Sequence, residues 1–257
     1  MTKQDDFDVK KLCDIAIQAG KEIMRIYETG DIQTETKSDD SPLTIADKAS
    51  HNIIKKHLTE HYPDIPLLSE EGAEIDYEKR STWNRYFLVD PLDGTKEFIS
   101  RNGEFTVNIA VIDDNMPVTG VIYVPVFEVL YYTQNGNSYK QNIEETAEQI
   151  HINRDPVNGI TAVRSRSHTS PAEEKFFADN KVTDTIAKGS SLKFCMVAEG
   201  RAHLYYRHGP TMEWDTAAGH AIAASAGAEV KGLSYNKKVL RNSSFYVTAV
   251  NIKKGIR

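Results

Sequence analysis

The chain has 257 residues, 40% hydrophobic and 26% charged, with a formal net charge of −6, enough for a substantial core in one large domain or two small ones sharing a cleft. The acidic balance argues against a nucleic-acid polymer or an anionic membrane as partner, and two distant cysteines, Cys13 and Cys195, argue against a disulfide framework and for a reducing cytoplasm. The polar, acidic start carries no signal-peptide pattern, and no apolar run approaches the roughly 20 residues of a spanning helix; peripheral attachment to an inner membrane and the assembly state are left open.

Residues 7–28 predict an amphipathic helix, because Leu12, Ile15, Ala16, Ala19, Ile23, Ile26 and Tyr27 recur at three- and four-residue steps and Gly30 follows as a stop. Residues 34–42 are polar and read as a loop or a ragged hairpin. A second helix runs from about Thr44 to His61, with Ile45, Ala49, Ile53, Ile54 and Leu58 on one side. Asp47 lies in its first turn, where an acid complements the helix dipole. Residues 66–72 form a short apolar strand ending in Glu70, Glu71 and Gly72, and 77–84 read as helical or irregular.

Tyr86, Phe87, Leu88 and Val89 then form a buried strand that runs into Asp90-Pro91-Leu92-Asp93-Gly94-Thr95. Pro91 fixes φ between two carboxylates three apart, and Gly94 allows a sharp turn after them. Two acids, a carbonyl and a hydroxyl delivered to one strand end suit a hard cation. β-rich runs follow at 105–112, 117–124 and 126–133, separated by a turn at Asp113 and Asp114 and by Pro125, which predicts an antiparallel meander. Asn135-Gly136 marks another hairpin. Beyond that, short strands at 160–164, 185–188, 202–206 and 245–250 alternate with helices at 171–179, 190–198 and 213–226. The last helix is rich in small residues that suit close packing on a sheet. The change of texture places a boundary at 141–158. It divides an N-terminal α+β half, residues 1–150, from a C-terminal α/β half, residues 151–257, within one compact catalytic unit.

Four acidic positions stand near predicted element ends: Glu70, Asp90, Asp93 and Asp215. Oxygen donors without a His/Cys cluster favour Mg²⁺, Ca²⁺ or Mn²⁺ over zinc. Haloacid-dehalogenase-like phosphatases also carry an Asp-Gly-Thr motif, but their nucleophile and acid lie two residues apart. Leu92 breaks that register here, which disfavours an aspartyl nucleophile. No EF-hand loop is present.

Asp90-Pro91-Leu92-Asp93-Gly94-Thr95 and Trp214-Asp215-Thr216-Ala217-Ala218-Gly219-His220, with Glu70-Glu71 ahead of them, resemble the signatures of the inositol-monophosphatase superfamily of metal-dependent, lithium-sensitive phosphatases. The longer matches at 88–99, 101–110, 165–168 and 189–195 are similar to its 3′(2′),5′-bisphosphate nucleotidases. The resemblance implies an α+β fold, a layered αβαβα sandwich. It implies hydrolysis of the 3′-phosphate of adenosine 3′,5′-bisphosphate, a by-product of sulfate transfer and reduction, to AMP and phosphate. Glu70, Asp90 and the Leu92 carbonyl would bind one Mg²⁺, and Asp90, Asp93 and Asp215 a second, in a set of two or three ions. Thr95, paired with Asp47 and assisted by Glu70, would activate the attacking water, while the Gly94 and Thr95 amides would hold phosphate oxygens.

A bisphosphorylated nucleotide also needs partners for its second phosphate, sugar and base. Lys193 and Arg207, with Ser190 and Ser191 at a predicted helix start and His168 on the sugar or base, are the candidates. Inositol phosphatases tend to place an acid ahead of the Trp-Asp signature to meet sugar hydroxyls; here Arg207-His208 occupies that region, a basic pair suited to a second phosphate. The alternatives are an inositol monophosphatase-type sugar phosphatase and a non-catalytic metal-binding protein.

Overall fold

A computed structural model describes residues 7–30, 34–36, 42–166 and 170–253. The chain opens with α1 (Val9–Thr29), capped by the Asp8 carboxylate and closed by Gly30 in the left-handed region, φ 71°. A small hairpin, β1 (Thr34–Thr36) with β2 (Pro42–Thr44), leads into α2 (Ile45–His61). Then come β3 (Leu67–Ser69), α3 (Tyr77–Arg80), β4 (Arg85–Asp93), α4 (Thr95–Ile99), β5 (Thr106–Asp113), β6 (Met116–Val124), β7 (Val129–Gln134), β8 (Asn137–Asn142) and β9 (Glu148–Ile150). The second half runs β10 (Ile160–Ser165), α5 (Pro171–Asp179), β11 (Val182–Lys188), α6 (Leu192–Ala198), β12 (Leu204–Arg207), β13 (Thr211–Met212), α7 (Ala217–Ser225), β14 (Glu229–Lys231), β15 (Arg241–Asn242) and β16 (Phe245–Thr248).

Among the described residues, β3 to β9 form one seven-stranded sheet in chain order. It is antiparallel throughout except that β3 lies parallel to β4. The second sheet has the order β11-β10-β12-β16-β14 and is parallel where β10 meets β11 and β12. Strand alternation decides which side chain serves which layer. Phe87 and Val89 of β4 pack toward α1 and α2, whereas Tyr86 and Leu88 pack the other way, against α6 and α7. On the second sheet Val163, Tyr205 and Val247 meet α6 and α7, while Ala162, Leu204 and Tyr246 meet α5. The layers therefore run α, β, α, β, α. The small residues of α7 let it approach the first sheet closely: a Cβ on Gly120 would sit 2.3 Å from the Ala218 carbonyl oxygen. No helix among the described residues is long and apolar enough to cross a membrane.

Several boundaries differ from the sequence reading. Residues 126–133 are not one strand: Pro125–Phe127 forms a 3₁₀ turn, and Glu128 takes a left-handed conformation before β7 begins. The helix expected from 190 begins at Leu192, because Ser190 has φ 44° and cannot continue it backwards. The helix expected from 213 begins at Ala217. Glu213 is fully buried, and its carboxylate accepts the amides of Asn236 and Lys237, which ties residues 213–216 to the 236–237 loop.

His220 sits inside the middle layer, its Nδ1 3.0 Å from the Tyr235 hydroxyl, and burial lowers its pKa from 6.5 to about 4. The unfolded chain therefore binds a proton that the folded chain refuses, so this contribution is complete above pH 6.5 and is lost as pH falls toward 4. His220→Asn should flatten the fall in urea-unfolding free energy between pH 7 and pH 4 by about 3 kcal/mol. An unchanged slope in the variant would show that His220 is not the group responsible.

Candidate active site

The cavity between the two sheets begins with an irregularity in β4. Asp90 pairs with Asn108 and Asp93 with Thr106, so three steps on β4 face two on β5. Strict alternation would send acids three apart to opposite faces. The extra residue of this bulge returns Asp93 to the face of Asp90 and leaves Leu92 in the apolar core. The Leu92 amide donates to Asp90 Oδ1 at 3.1 Å, and the Ser50 hydroxyl donates to the Pro91 carbonyl at 2.7 Å, fixing the bulge from both sides. Gly94 follows at φ 93°, a left-handed conformation that suits glycine, and turns the chain into α4.

β3 runs parallel to β4, and the Glu70 amide donates to the Val89 carbonyl, so Glu70 leaves the sheet beside Asp90. Asp215 arrives from the loop before α7, its Oδ2 accepting the Met212 amide at 2.9 Å. Carboxylate oxygens of Glu70, Asp90 and Asp215 all lie within 4.8 Å of one another. Burial pushes the Asp90 and Asp215 carboxyls well above the usual range, the nearby Glu70 and Asp93 raise both further, and Asp215 adds to the push on Asp90. Buried acids in such a group cannot all ionise without a compensating charge. An oxygen-only set of this kind fits a hard divalent cation.

Asp93 lines the same cavity but stands outside that three-acid group. Its Oδ2 accepts the Ser191 amide at 2.6 Å and the Asn108 side-chain amide at 3.3 Å. Burial raises its pKa to about 6, against the pull of Lys193 and these hydrogen bonds. Asp47 caps α2 and also contacts Thr95. Its Oδ2 accepts from the Thr44 amide (2.7 Å) and hydroxyl (2.6 Å) in a capping box, while its Oδ1 accepts the Thr95 hydroxyl at 3.2 Å. Burial brings Asp47 to about 6 despite the Thr44 bonds.

The cavity holds about 280 Å³, and its far wall is formed by Ser165, Ser190, Lys193, Tyr205, Arg207 and Thr211. The Arg207 Nε, Ser190 Oγ and Thr211 Oγ1 are buried without a hydrogen-bond partner among the described residues. Unpaired buried polar groups facing one cavity are the pattern a polar ligand would satisfy. Lys193 is no surface lysine: it is buried, with its ammonium donating to the carbonyls of Ser190 and Lys188.

Two expectations change. Ser191 does not face the cavity; it is buried, with its hydroxyl against Thr106 and Asn108 and its amide on Asp93, so it orients an acid. His208 points elsewhere, its Nδ1 shared by the hydroxyls of Tyr206 and Ser244, so Arg207 lines the cavity without His208 and the two do not form a basic pair there. His168 lies outside the described residues. Sequence reasoning missed Thr211 and Tyr205, which reach the cavity through strand geometry that no local motif records.

A family model described as the inositol monophosphatase family matches residues 6–256. The chain is 47% identical over 248 residues to the 3′(2′),5′-bisphosphate nucleotidase CysQ of Salmonella typhimurium, covering 93% of this chain and 99% of that one. It is 48% identical over 222 residues to the protein of the same name from Escherichia coli K12, covering 86% and 88%. The crystal structure of CysQ from Bacteroides thetaiotaomicron, a bacterial member of the inositol monophosphatase family, superposes with a TM-score of 0.80 at 43% identity, covering 95% of this chain and 98% of that one.

Proposed function

The chain belongs to the inositol monophosphatase family, and from that premise we propose that it is a Mg²⁺-dependent 3′(2′),5′-bisphosphate nucleotidase. It removes the 3′-phosphate of adenosine 3′,5′-bisphosphate to give AMP and phosphate, recycling a by-product of cytoplasmic sulfur metabolism. The observation that carries this reading is the Thr95–Asp47 hydrogen bond opening on the same cavity as Glu70, Asp90 and Asp215.

Glu70, Asp90 and Asp215, with Asp93 and the Leu92 carbonyl, would hold the ions, two or three in number. When bound, Mg²⁺ supplies positive charge against the phosphate and leaving-group oxygens. Thr95 commits its hydroxyl proton to Asp47, so its lone pair is free to accept a proton from the attacking water. Asp47, near 6 and held in orientation by Thr44, receives the proton that Thr95 passes on. Glu70 stands on the same side and orients that water. The Gly94 and Thr95 amides lie ahead of the first intrahelical bond, from the Phe98 amide to the Gly94 carbonyl, and donate to phosphate oxygens. The displacement is direct and in line, without a phosphoenzyme.

Arg207, with Ser190 and Lys193, meets the second phosphate. Glu213, the acid directly ahead of Trp214, is buried and bound by Asn236 and Lys237. It therefore offers nothing to sugar hydroxyls, which favours a nucleotide over an inositol ring. Phosphate release should be measured with adenosine 3′,5′-bisphosphate, inositol 1-phosphate and fructose 1,6-bisphosphate. The first should be preferred, and Arg207→Ala should raise its KM by about 10- to 100-fold, the loss of a charge-assisted contact, with inositol 1-phosphate changing by about threefold at most. Equal losses on both substrates would remove the nucleotide reading.

A further inference from the structure

Glu104 is 5% exposed, yet its carboxylate accepts four hydrogen bonds. It sits just ahead of β5 in the first sheet. Its Oε2 accepts Arg166 Nε at 2.9 Å and the Gly189 amide at 2.8 Å, and its Oε1 accepts Arg166 Nη2 at 2.9 Å and Lys188 Nζ at 3.0 Å. All three partners belong to the second sheet or its exit: Arg166 follows β10, Lys188 ends β11, and Gly189 opens the connection to α6. Against the upward push of burial, the two cations and the amide hold this carboxyl down at about 2, so it is ionised at neutral pH.

What the connection 188–191 carries gives the contact its meaning. The Ser190 hydroxyl faces the cavity, the Ser191 amide holds Asp93, and the Lys188 and Ser190 carbonyls hold the Lys193 ammonium. The connection is not a regular helix start, since Ser190 is left-handed and Ser191 makes no side-chain cap to α6. The packing leaves no slack either. A Cβ on Gly189 would lie 2.8 Å from the Glu104 carbonyl oxygen and 2.7 Å from Glu97 Cγ, and one on Gly94 would lie 3.3 Å from Ser190 Cβ.

We infer that Glu104 is a positioning residue for substrate selection: it clamps residues 188–191 of the second sheet to the first and so sets where Ser190 and Lys193 stand around the cavity. The substrate part of this inference rests on the phosphatase reading of that cavity. The clamp acts mainly on the far wall, so it governs the second phosphate more than the reacting one. Removing its charge leaves Arg166 and Lys188 without an anionic partner and offers them an amide that can accept at one atom only.

The test is Glu104→Gln, nearly isosteric, read in two ways. Amide hydrogen exchange should accelerate by about tenfold or more at Gly189 and Ser191 while β5 amides stay protected, reporting the clamp whatever the substrate. The KM for adenosine 3′,5′-bisphosphate should rise by about tenfold or more, with kcat and the KM for inositol 1-phosphate within about threefold. Unchanged exchange at 188–191, or equal KM increases for both substrates, overturns the inference. A wild-type protein that releases no phosphate from any substrate refutes the phosphatase reading instead, and the exchange data still decide whether the clamp exists. Should Glu104→Gln fail to fold, Lys188→Met, which removes one cation and leaves the amide contact, should show the same KM split at about threefold.

Discussion

On the proposed activity, Asp90→Asn should lower Mg²⁺-dependent phosphate release by about a thousandfold or more, which corresponds to about 4 kcal/mol of lost transition-state stabilisation. The size follows from where Asp90 stands. It is 2% exposed, with Glu70 and Asp215 oxygens within 4.8 Å and Asp93 and Asp47 adding to the negative field. It is the acid that both expected ion sites share. The substitution removes one charge and little else, because an Asn oxygen still accepts the Leu92 amide that Asp90 Oδ1 accepts at 3.1 Å. The β4 bulge is therefore retained, and unfolding without added cation stays within about 1 kcal/mol of wild type or becomes harder, since a buried like charge is gone. Mg²⁺ should stabilise the wild type against heat by mass action, and that gain should be lost in the variant. Thermal unfolding and phosphate release across a Mg²⁺ titration measure both effects. Near-normal Mg²⁺-dependent turnover in the variant would sink the assignment of these acids as cation ligands.

The bulge also shows how far the sequence reading reached. α1 and the β5–β6–β7 meander are legible because apolar residues repeat at helical or strand period over many positions, and burial follows period. The two hairpin residues Asn135 and Gly136 are legible because both must take positive φ, which they do at 52° and 74°. The acids at 90 and 93 were recognisable as a motif, but strict alternation puts them on opposite faces. Only pairing with β5, more than a dozen residues later, shows the inserted residue that brings them together. Ser191 was misplaced for the same kind of reason. A serine near a helix start reads as an anion contact, whereas its surroundings are Thr106 and Asn108, over 80 residues away. Glu104 left no local trace, since its partners lie 62 to 85 positions along the chain. Local pattern records which layer a residue belongs to; what it meets across the cleft is set by the stacking of two sheets built from different halves of the chain.

Asp47→Asn and Thr95→Ala should each lower kcat by about 10²- to 10³-fold while leaving KM within about threefold, the signature of a group that acts in the transition state rather than in binding. The geometry makes them one unit. Asp47 Oδ2 is held by the Thr44 amide and hydroxyl, which leaves Oδ1 aimed at the Thr95 hydroxyl 3.2 Å away. Asn at 47 can keep the oxygen toward Thr44 and so preserve the helix cap, but it then presents an amide NH₂ to Thr95, which turns the hydroxyl's proton away from a base. Alanine at 95 removes the relay outright. On the proposed proton path the two residues act in series, so the double variant should be no slower than the worse single one, an interaction energy of about 3 kcal/mol between them. Thr95→Ser keeps the hydroxyl and should retain activity within about tenfold. Multiplicative losses in the double variant would mean that Thr95 and Asp47 act separately. Asp47 would then be only the capping acid of α2, and the base that accepts the proton would have to be sought among Glu70 and its neighbours.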